Sequence, residues 1–510
     1  MELLQDHKKL FFAVFSAFFL FQLLSFLGYF APSLSAVFFW LVIVSVFCLS
    51  LKKIDYGLYA LCFEFLAGHE GHLFSFGFSF GGISLRLALF ITVMAVWFLK
   101  FSPFQEGRER SPAQRDEATV GNRRCPKRGS GKIYFLKREK IKPSFFFSLF
   151  ILFLLFGLVR GFLNNSVFAV KDFINYAYIF LALPLSTFLK DRQNQRNAYV
   201  IFKALIPAIF LLTLFVLILF STGLVEVHDQ FYWWWRGIVI GKATFAGYHF
   251  YRIVSSAHLL VLPLLLLCLS LWFASGKDEQ WKRKSLALAI IVGTGTLLIN
   301  FSRAYFLGFF AGLLFLAIGL EKKRWLKAVA VFLLIFIAEF VMLFTLTSGF
   351  KTMGFDLLGK RMGTLVSPEE ELSSATRLMI LPGLLEKIKE KPFWGYGLGM
   401  EISYPDPVTK EMKKTRHLDW GWLEILAELG IFGFLSFLSL IISLFVKMKE
   451  KLKTAPYFTD KRITIGLGAG LTSLLISSIT GPFIFHALGI FYLSLVIAYL
   501  SPESQEVNKI

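Results

Sequence analysis

The stretch YVIFKALIPAIFLLTLFVLILFS, residues 199–221, decides the class of this chain. Its charged residue is Lys203, near the start, and the rest is almost wholly apolar. A run of this length crosses a hydrocarbon core of roughly 30 Å as a helix. It is continuous rather than alternating. In hydrocarbon the backbone must satisfy its own polar groups, so the run reads as an α-helix and not as a strand of a barrel. Similar runs recur along all 510 residues, which are 56% hydrophobic and 17% aromatic, with a mean hydropathy of +0.63. Charged residues make up 17%, where a soluble chain carries about a quarter. The sequence predicts an all-α, polytopic integral membrane protein with about 12–14 transmembrane helices.

Working outward, apolar segments begin near residue 11 and end near residue 500. The segment at 55–68 is short for a crossing. The pair near 284–320 is interrupted at Asn300-Phe301-Ser302-Arg303, and the last pair near Thr480-Gly481-Pro482. The N-terminal MELLQDHKKL precedes a long apolar run with no small-residue cleavage site, so it reads as an uncleaved first helix. Cys48, Cys62, Cys125 and Cys268 are scattered, with neither paired nor metal-type spacing.

The net charge of +20 has the wrong distribution for a nucleic-acid footprint. Residues 104–143 hold 12 basic and 5 acidic residues, and the short loops near 190–203, 276–284, 321–327 and 447–462 are also basic. Alternate crossings put these five connections on one side. The positive-inside rule makes that side cytoplasmic, together with both termini. The opposite side receives two long loops, 222–252 and 347–420. The second carries 11 basic and 10 acidic residues, close to neutral. The parts are then helices in 1–103, a basic cytoplasmic linker at 104–143, helices in 144–221, a core at 222–446 and C-terminal helices in 447–510. The GSGK at 129–132 is not a nucleotide loop: Pro126 stands where the first glycine is required and Ile133 where Ser or Thr follows the lysine.

Long loops tend to carry function. In 347–420, Ser374 is placed to cap an amphipathic helix over 373–391. KPFWGYGLGM after it is a Gly-rich turn suited to close approach to a ligand. Four outer-side features bear ionisable groups: Arg236 and Arg252 in the first loop, Arg303 at the break in 284–320, Arg377 in the long loop, and His417 with Asp419 at the mouth of the helix after it. Arginines converging on one vestibule suit a phosphate-bearing ligand, because guanidinium is always charged and donates in a fixed fork. A His or carboxylate beside them suits a general base acting on a hydroxyl. Each also has a plainer reading. Arg236, after three tryptophans, suits an interfacial anchor. Arg303 suits a structural pairing, Arg377 a solvated helix face, and His417 an exposed loop end.

Three stretches resemble the O-antigen ligase and polymerase superfamily of bacterial membranes. NFSRAYFLGFFAGLLF (300–315) resembles its Ser-Arg-(Gly/Ala) motif opening a helix. SATRLMILPGLLEKIKEKPFWGYGLG (374–399) resembles its Arg-led helix ending in Pro-x-x-Gly-x-Gly. HLDWGWLEILAELGIFG (417–433) resembles its His-containing segment ending Leu-Ala-Glu-Leu-Gly-x-x-Gly. The likeness covers about residues 230–450. It implies transfer of a glycan from undecaprenyl pyrophosphate to an acceptor hydroxyl on the periplasmic face of the bacterial inner membrane, without metal or other cofactor. The partners implied are the undecaprenyl-pyrophosphate-linked glycan, membrane lipids and a glycan acceptor such as lipid A–core. By resemblance Arg303 holds pyrophosphate, Arg252 or Arg236 is the second such arginine, and Arg377 positions substrate. The usual position of the family's base falls on Asp419, with His417 two residues earlier, so either is the candidate base. Ligation in lipopolysaccharide biosynthesis is the leading expectation. Polysaccharide polymerisation, or glycan transport without chemistry, are the alternatives. The topology is checked by reporter fusions: alkaline phosphatase joined after Gly237 or Pro405 is expected to be active, and joined within 104–143 inactive. The reverse pattern overturns the orientation.

Overall fold

The computed structural model describes residues 6–76, 82–101, 145–273, 280–357, 359, 363, 372–416, 418–455 and 457–501. The linker 104–143 and His417 lie outside them. The described chain is mostly helical, as the apolar runs require. It opens with α1 (His7–Phe30), α2 (Pro32–Lys52) and α3 (Ile54–Ala67). Asp6 accepts from the Lys8 and Lys9 amides at 2.9 and 3.2 Å, capping α1, and Pro32 starts α2 in the position where a missing N–H costs nothing. The short segment at 55–68 is thus a helix. A two-stranded hairpin, β1 (Ser75–Phe76) and β2 (Ile83–Ser84), leads into α4 (Leu85–Phe101), and α5 (Phe145–Leu163) follows the linker.

The segment expected at 168–189 is divided into α6 (Ala169–Ala177), a 3-10 turn (Tyr178–Leu181) and α7 (Ala182–Phe188). Pro184 has no N–H to offer the preceding turn, and the chain tightens just before it. Then come α8 (Arg192–Ser221), α9 (Gln230–Gly237), β3 (Lys242–Gly247), β4 (Phe250–Val254), α10 (His258–Trp272), α11 (Gln280–Asn300), α12 (Arg303–Leu316) and α13 (Lys322–Thr347). The long loop 347–420 holds α14 (Leu372–Glu390), β5 (Ile402–Pro405) and β6 (Met412–Thr415). The chain closes with α15 (Gly421–Thr454), α16 (Phe458–Ser477) and α17 (Ala487–Tyr499).

Among the described residues, 7 helices are long and apolar enough to cross a membrane. The expected crossings at α10, α12 and α17 are shorter apolar helices. Buried residues occur on every side of α10 and α17, and α10 and α12 both pack against α16. Helices shielded by protein need not span the full hydrocarbon thickness, since their ends meet polar protein groups rather than lipid. The surfaces of α1, α2 and α13 instead expose large apolar side chains such as Leu23, Leu41 and Leu334, as a lipid-facing helix does. One end of the bundle gathers β3–β4, α14 and β5–β6. The opposite end is tied by basic residues: Arg192 pairs with Asp460 at 2.7 Å, and Arg462 donates to the Gly319 carbonyl at 2.8 Å.

The Gly-rich turn at 392–399 makes its close approaches to the backbone of α15 and α5. It locks backbone to backbone. Gly430 breaks α15 with φ 69° and ψ −177°, a conformation open essentially to glycine alone. The break changes hydrogen-bond partners. Ile431 N–H donates to Pro392 O at 2.8 Å instead of to Ala427 O, and Ala427 O accepts from Tyr396 N–H at 2.8 Å. Glu428 O accepts from Gly397 N–H at 2.8 Å, and Leu398 N–H donates to Gly157 O of α5 at 3.0 Å. Gly397 itself has φ 94°, and a Cβ there would stand 2.2 Å from Gly161 N. The measurement that checks this clasp is thermal unfolding in detergent. Gly397→Ala is expected to cost at least about 2 kcal/mol. Gly223→Ala, at φ 72° with nothing within 4 Å, carries only the backbone strain of about 1 kcal/mol. Equal losses from the two overturn the clasp.

Candidate active site

The loop 222–257 is organised by a hairpin that the apolar pattern did not disclose. β3 and β4 pair antiparallel with Thr244 opposite Arg252, and a bulge follows at Phe245/Gly247. Phe250 and Ile253 of β4 are buried, which fixes the strand against α8 and α11. Arg252 between them is half-buried, and its Nε donates to the Asn300 carbonyl at 2.8 Å. Asn300 is the last residue of α11, where carbonyls lack helical partners. Phe301 then turns the chain in the left-handed region, at φ 50°, and is itself buried beside Phe250 and Phe344. Two residues on, Arg303 opens α12. Its Nη2 donates to Ser374 Oγ at 3.0 Å. Ser374, expected as a cap, lies inside the first turn of α14 and meets the site arginine. Arg377 follows one turn later, on the same face of that helix.

The segment 416–420 is anchored on both sides of the position of His417. Arg416 pairs with Asp172 at 3.1 Å and lies over the Phe168 ring at 4.9 Å. Leu418 is buried with Ile380, Leu384, Met400, Ile402 and Ala427 in a small core of its own. Trp420 Nε1 donates to the Arg377 carbonyl at 3.1 Å. Between these anchors Asp419 takes φ 54°, which aspartate tolerates better than most residues. Its Oδ2 stands 3.4 Å from Arg377 Nε, an ion-pair distance. The two side chains are 28% and 42% exposed, so the pair is open to solvent and contributes little to stability. Asp419 therefore pairs with Arg377, and Arg416 turns away to Asp172.

The cations of this end are close enough to act on one another. Lys242 on β3 shows it. Enclosure, then Arg236, Arg252 and Arg377, hold its ammonium below the usual lysine value, and Asp419 opposes them. The residue as a whole is exposed, so this enclosure is that of an open mouth rather than of a core. The structure thus brings Arg236, Arg252 and Arg377 together with Asp419. It places Arg303 one helical turn from Arg377 through Ser374. Arg236 sits exposed in the last turn of α9, at the rim. His417 cannot be assigned a place.

Two participants were not singled out from sequence. Lys242 lies in IGKATFAG, a stretch with no motif to mark it, and only the hairpin turns it toward the arginines. Glu428 is a carboxylate inside the apolar run ILAELG, which is itself a signal in a membrane segment. It is buried, and its Oε1 accepts from the Gly399 amide at 3.0 Å, so it completes the glycine clasp.

Among the described residues, cations gathered at one mouth beside the Asp419 carboxylate are a set whose chemistry suits an anion. Residues 286–438 match the family model described as O-antigen ligase, a region that holds Arg303, Arg377, Asp419 and the clasp but leaves out β3 and β4. No curated protein matches the chain. The matched region, set among membrane-spanning helices, carries the family's enzyme-type function of membrane glycosyl transfer, with a lipid-linked glycan and a glycan acceptor as its general partners. Over residues 286–438, under a third of its length, the chain is similar to the O-antigen ligase superfamily.

Proposed function

We propose that this protein moves a glycan from undecaprenyl pyrophosphate to an acceptor hydroxyl on the periplasmic face of the inner membrane, in the ligation of O-antigen to lipid A–core. The observation that supports this most is the gathering of Arg236, Arg252 and Arg377 about Lys242 and Asp419, with Arg303 one helical turn from Arg377 through Ser374. In the reaction the acceptor oxygen attacks the anomeric carbon and the bond from that carbon to the pyrophosphate oxygen breaks. The electron pair leaves with the pyrophosphate. Negative charge therefore builds on the phosphate oxygens, and Arg252 and Arg303 supply fixed donors where it builds. The acceptor proton goes to Asp419, whose orientation Arg377 sets; His417 is the second candidate for that proton. Arg236, at the rim, draws the anionic donor toward the mouth.

Complementation of a ligase-null strain tests the reading. Arg303→Ala is expected to lower attachment by about 100-fold or more, the scale of a lost transition-state donor, and Arg303→Lys to recover part of it. Full attachment by Arg303→Ala overturns the pyrophosphate role. Loss of all capped core indicates ligation, whereas survival of single-repeat caps indicates polymerisation. A second measurement separates chemistry from folding at Asp419. Asp419→Asn is expected to cut turnover while shifting stability by less than about 1 kcal/mol, because the ion pair is exposed. Normal turnover in Asp419→Asn together with loss in His417→Ala moves the proton to His417.

A further inference from the structure

We infer that His258 is a positioning residue: through Asn300 it sets the direction of Arg252. The inference rests on the reading of Arg252 as a pyrophosphate-binding arginine. His258 is the first residue of α10 and is fully buried, with no direct access to the mouth. Its Nε2 lies 2.9 Å from Thr213 Oγ1 of α8. The Thr213 hydroxyl donates its own proton to Ile209 O at 2.7 Å, so toward His258 it acts as acceptor, and Nε2 carries the proton. That leaves Nδ1 as a bare acceptor. Two donors are aimed at it: Asn300 Nδ2 at 2.8 Å and the Ser255 amide at 3.4 Å. A single tautomer thus satisfies every contact of the ring.

The consequence falls on Asn300. Its carbonyl is the acceptor for Arg252 Nε at 2.8 Å, and its side chain is held by His258 Nδ1. The peptide that carries this carbonyl also donates through Phe301 N–H to Leu297 O at 3.0 Å, and the left-handed turn at Phe301 follows directly. His258 therefore holds the side chain of Asn300 from one side, and the Asn300 carbonyl takes the Nε–H of Arg252 on the other. The relay reaches further back: Ser255 Oγ meets His69 Nδ1 at 2.8 Å, and Arg86, paired with Glu64 at 2.8 Å, donates to the His69 carbonyl. The N-terminal helices, outside the family match, thus brace the site arginine.

Two amide substitutions of His258 separate positioning from bulk. In His258→Asn, Oδ1 occupies the place of Nδ1 and keeps the acceptor for Asn300. In His258→Gln, the amide reaches toward Thr213 and that acceptor is lost. The readout is binding of undecaprenyl pyrophosphate to the full chain in lipid nanodiscs, with undecaprenyl monophosphate as the comparison and thermal stability recorded for each variant. His258→Gln is expected to weaken pyrophosphate binding about tenfold, and His258→Asn to stay within about twofold of the unaltered protein. In an Arg252→Ala background His258→Gln is expected to add nothing. Equal effects of Asn and Gln, or a Gln effect that persists without Arg252, overturn the inference. Should His258→Gln fail to fold, Asn300→Ala removes the donor at the other end of the link and is expected to show the same tenfold loss; binding unchanged in Asn300→Ala overturns the inference. If Arg252→Ala binds undecaprenyl pyrophosphate as the unaltered protein does, the pyrophosphate role of Arg252 falls instead.

Discussion

The exchange of main-chain hydrogen bonds at Gly430 is the constraint on which the site end of this protein depends. A helix leaving the membrane would ordinarily keep its carbonyls to itself. Here α15 gives up the bonds of Ala427 and Glu428 to the turn 392–399 and takes Pro392 in return. The loop helix α14 is thereby tied to α15, and through Leu398 to α5. Everything at the site follows from that placement. Ser374 and Arg377 lie on α14, and Asp419 sits at the head of α15, so one backbone clasp sets the distance between the loop arginine and the carboxylate.

The second constraint is electrostatic. Several guanidinium groups and one ammonium share a mouth and would repel one another in an empty cleft. The structure spreads the cost. Arg252 is bound to the negative end of α11, Arg303 to a serine hydroxyl, and Arg377 to Asp419. On the proposed reading an anionic donor would relieve this crowding of charge, as is common where binding sites compete with stability.

Much of the fold was legible in the apolar runs, because a bilayer allows few solutions for a backbone in hydrocarbon. The split at 178–184 and the hairpins were not. Strand pairing in β3–β4 depends on partners several residues away and on the surface of α8 and α11, neither of which leaves a period in the chain. At the site, Arg303, Arg377 and Asp419 stood out because ionisable residues at the borders of apolar runs are costly. Lys242 did not stand out, since a lysine in a polar loop costs nothing until the fold turns it toward three arginines. The glycines of 392–399 were noticed for close approach, but that the backbone of α15 and α5 is what they approach was not legible, because sequence reports that a backbone comes near something but not what that something is.

By itself, then, the sequence determined a helical membrane protein, the loops that carry its charge, and the residue types able to handle a phosphate-bearing donor. Hydrophobic length and charge placement are local properties, written residue by residue. Only the tertiary structure decided which arginine faces which partner: Arg377 to Asp419, Arg416 to Asp172, Arg252 to Asn300. Those pairings are settled by a kink at one glycine and a left-handed turn at one phenylalanine. Their directions come from contacts between segments far apart in the chain, and no local stretch of sequence contains both sides of such a contact.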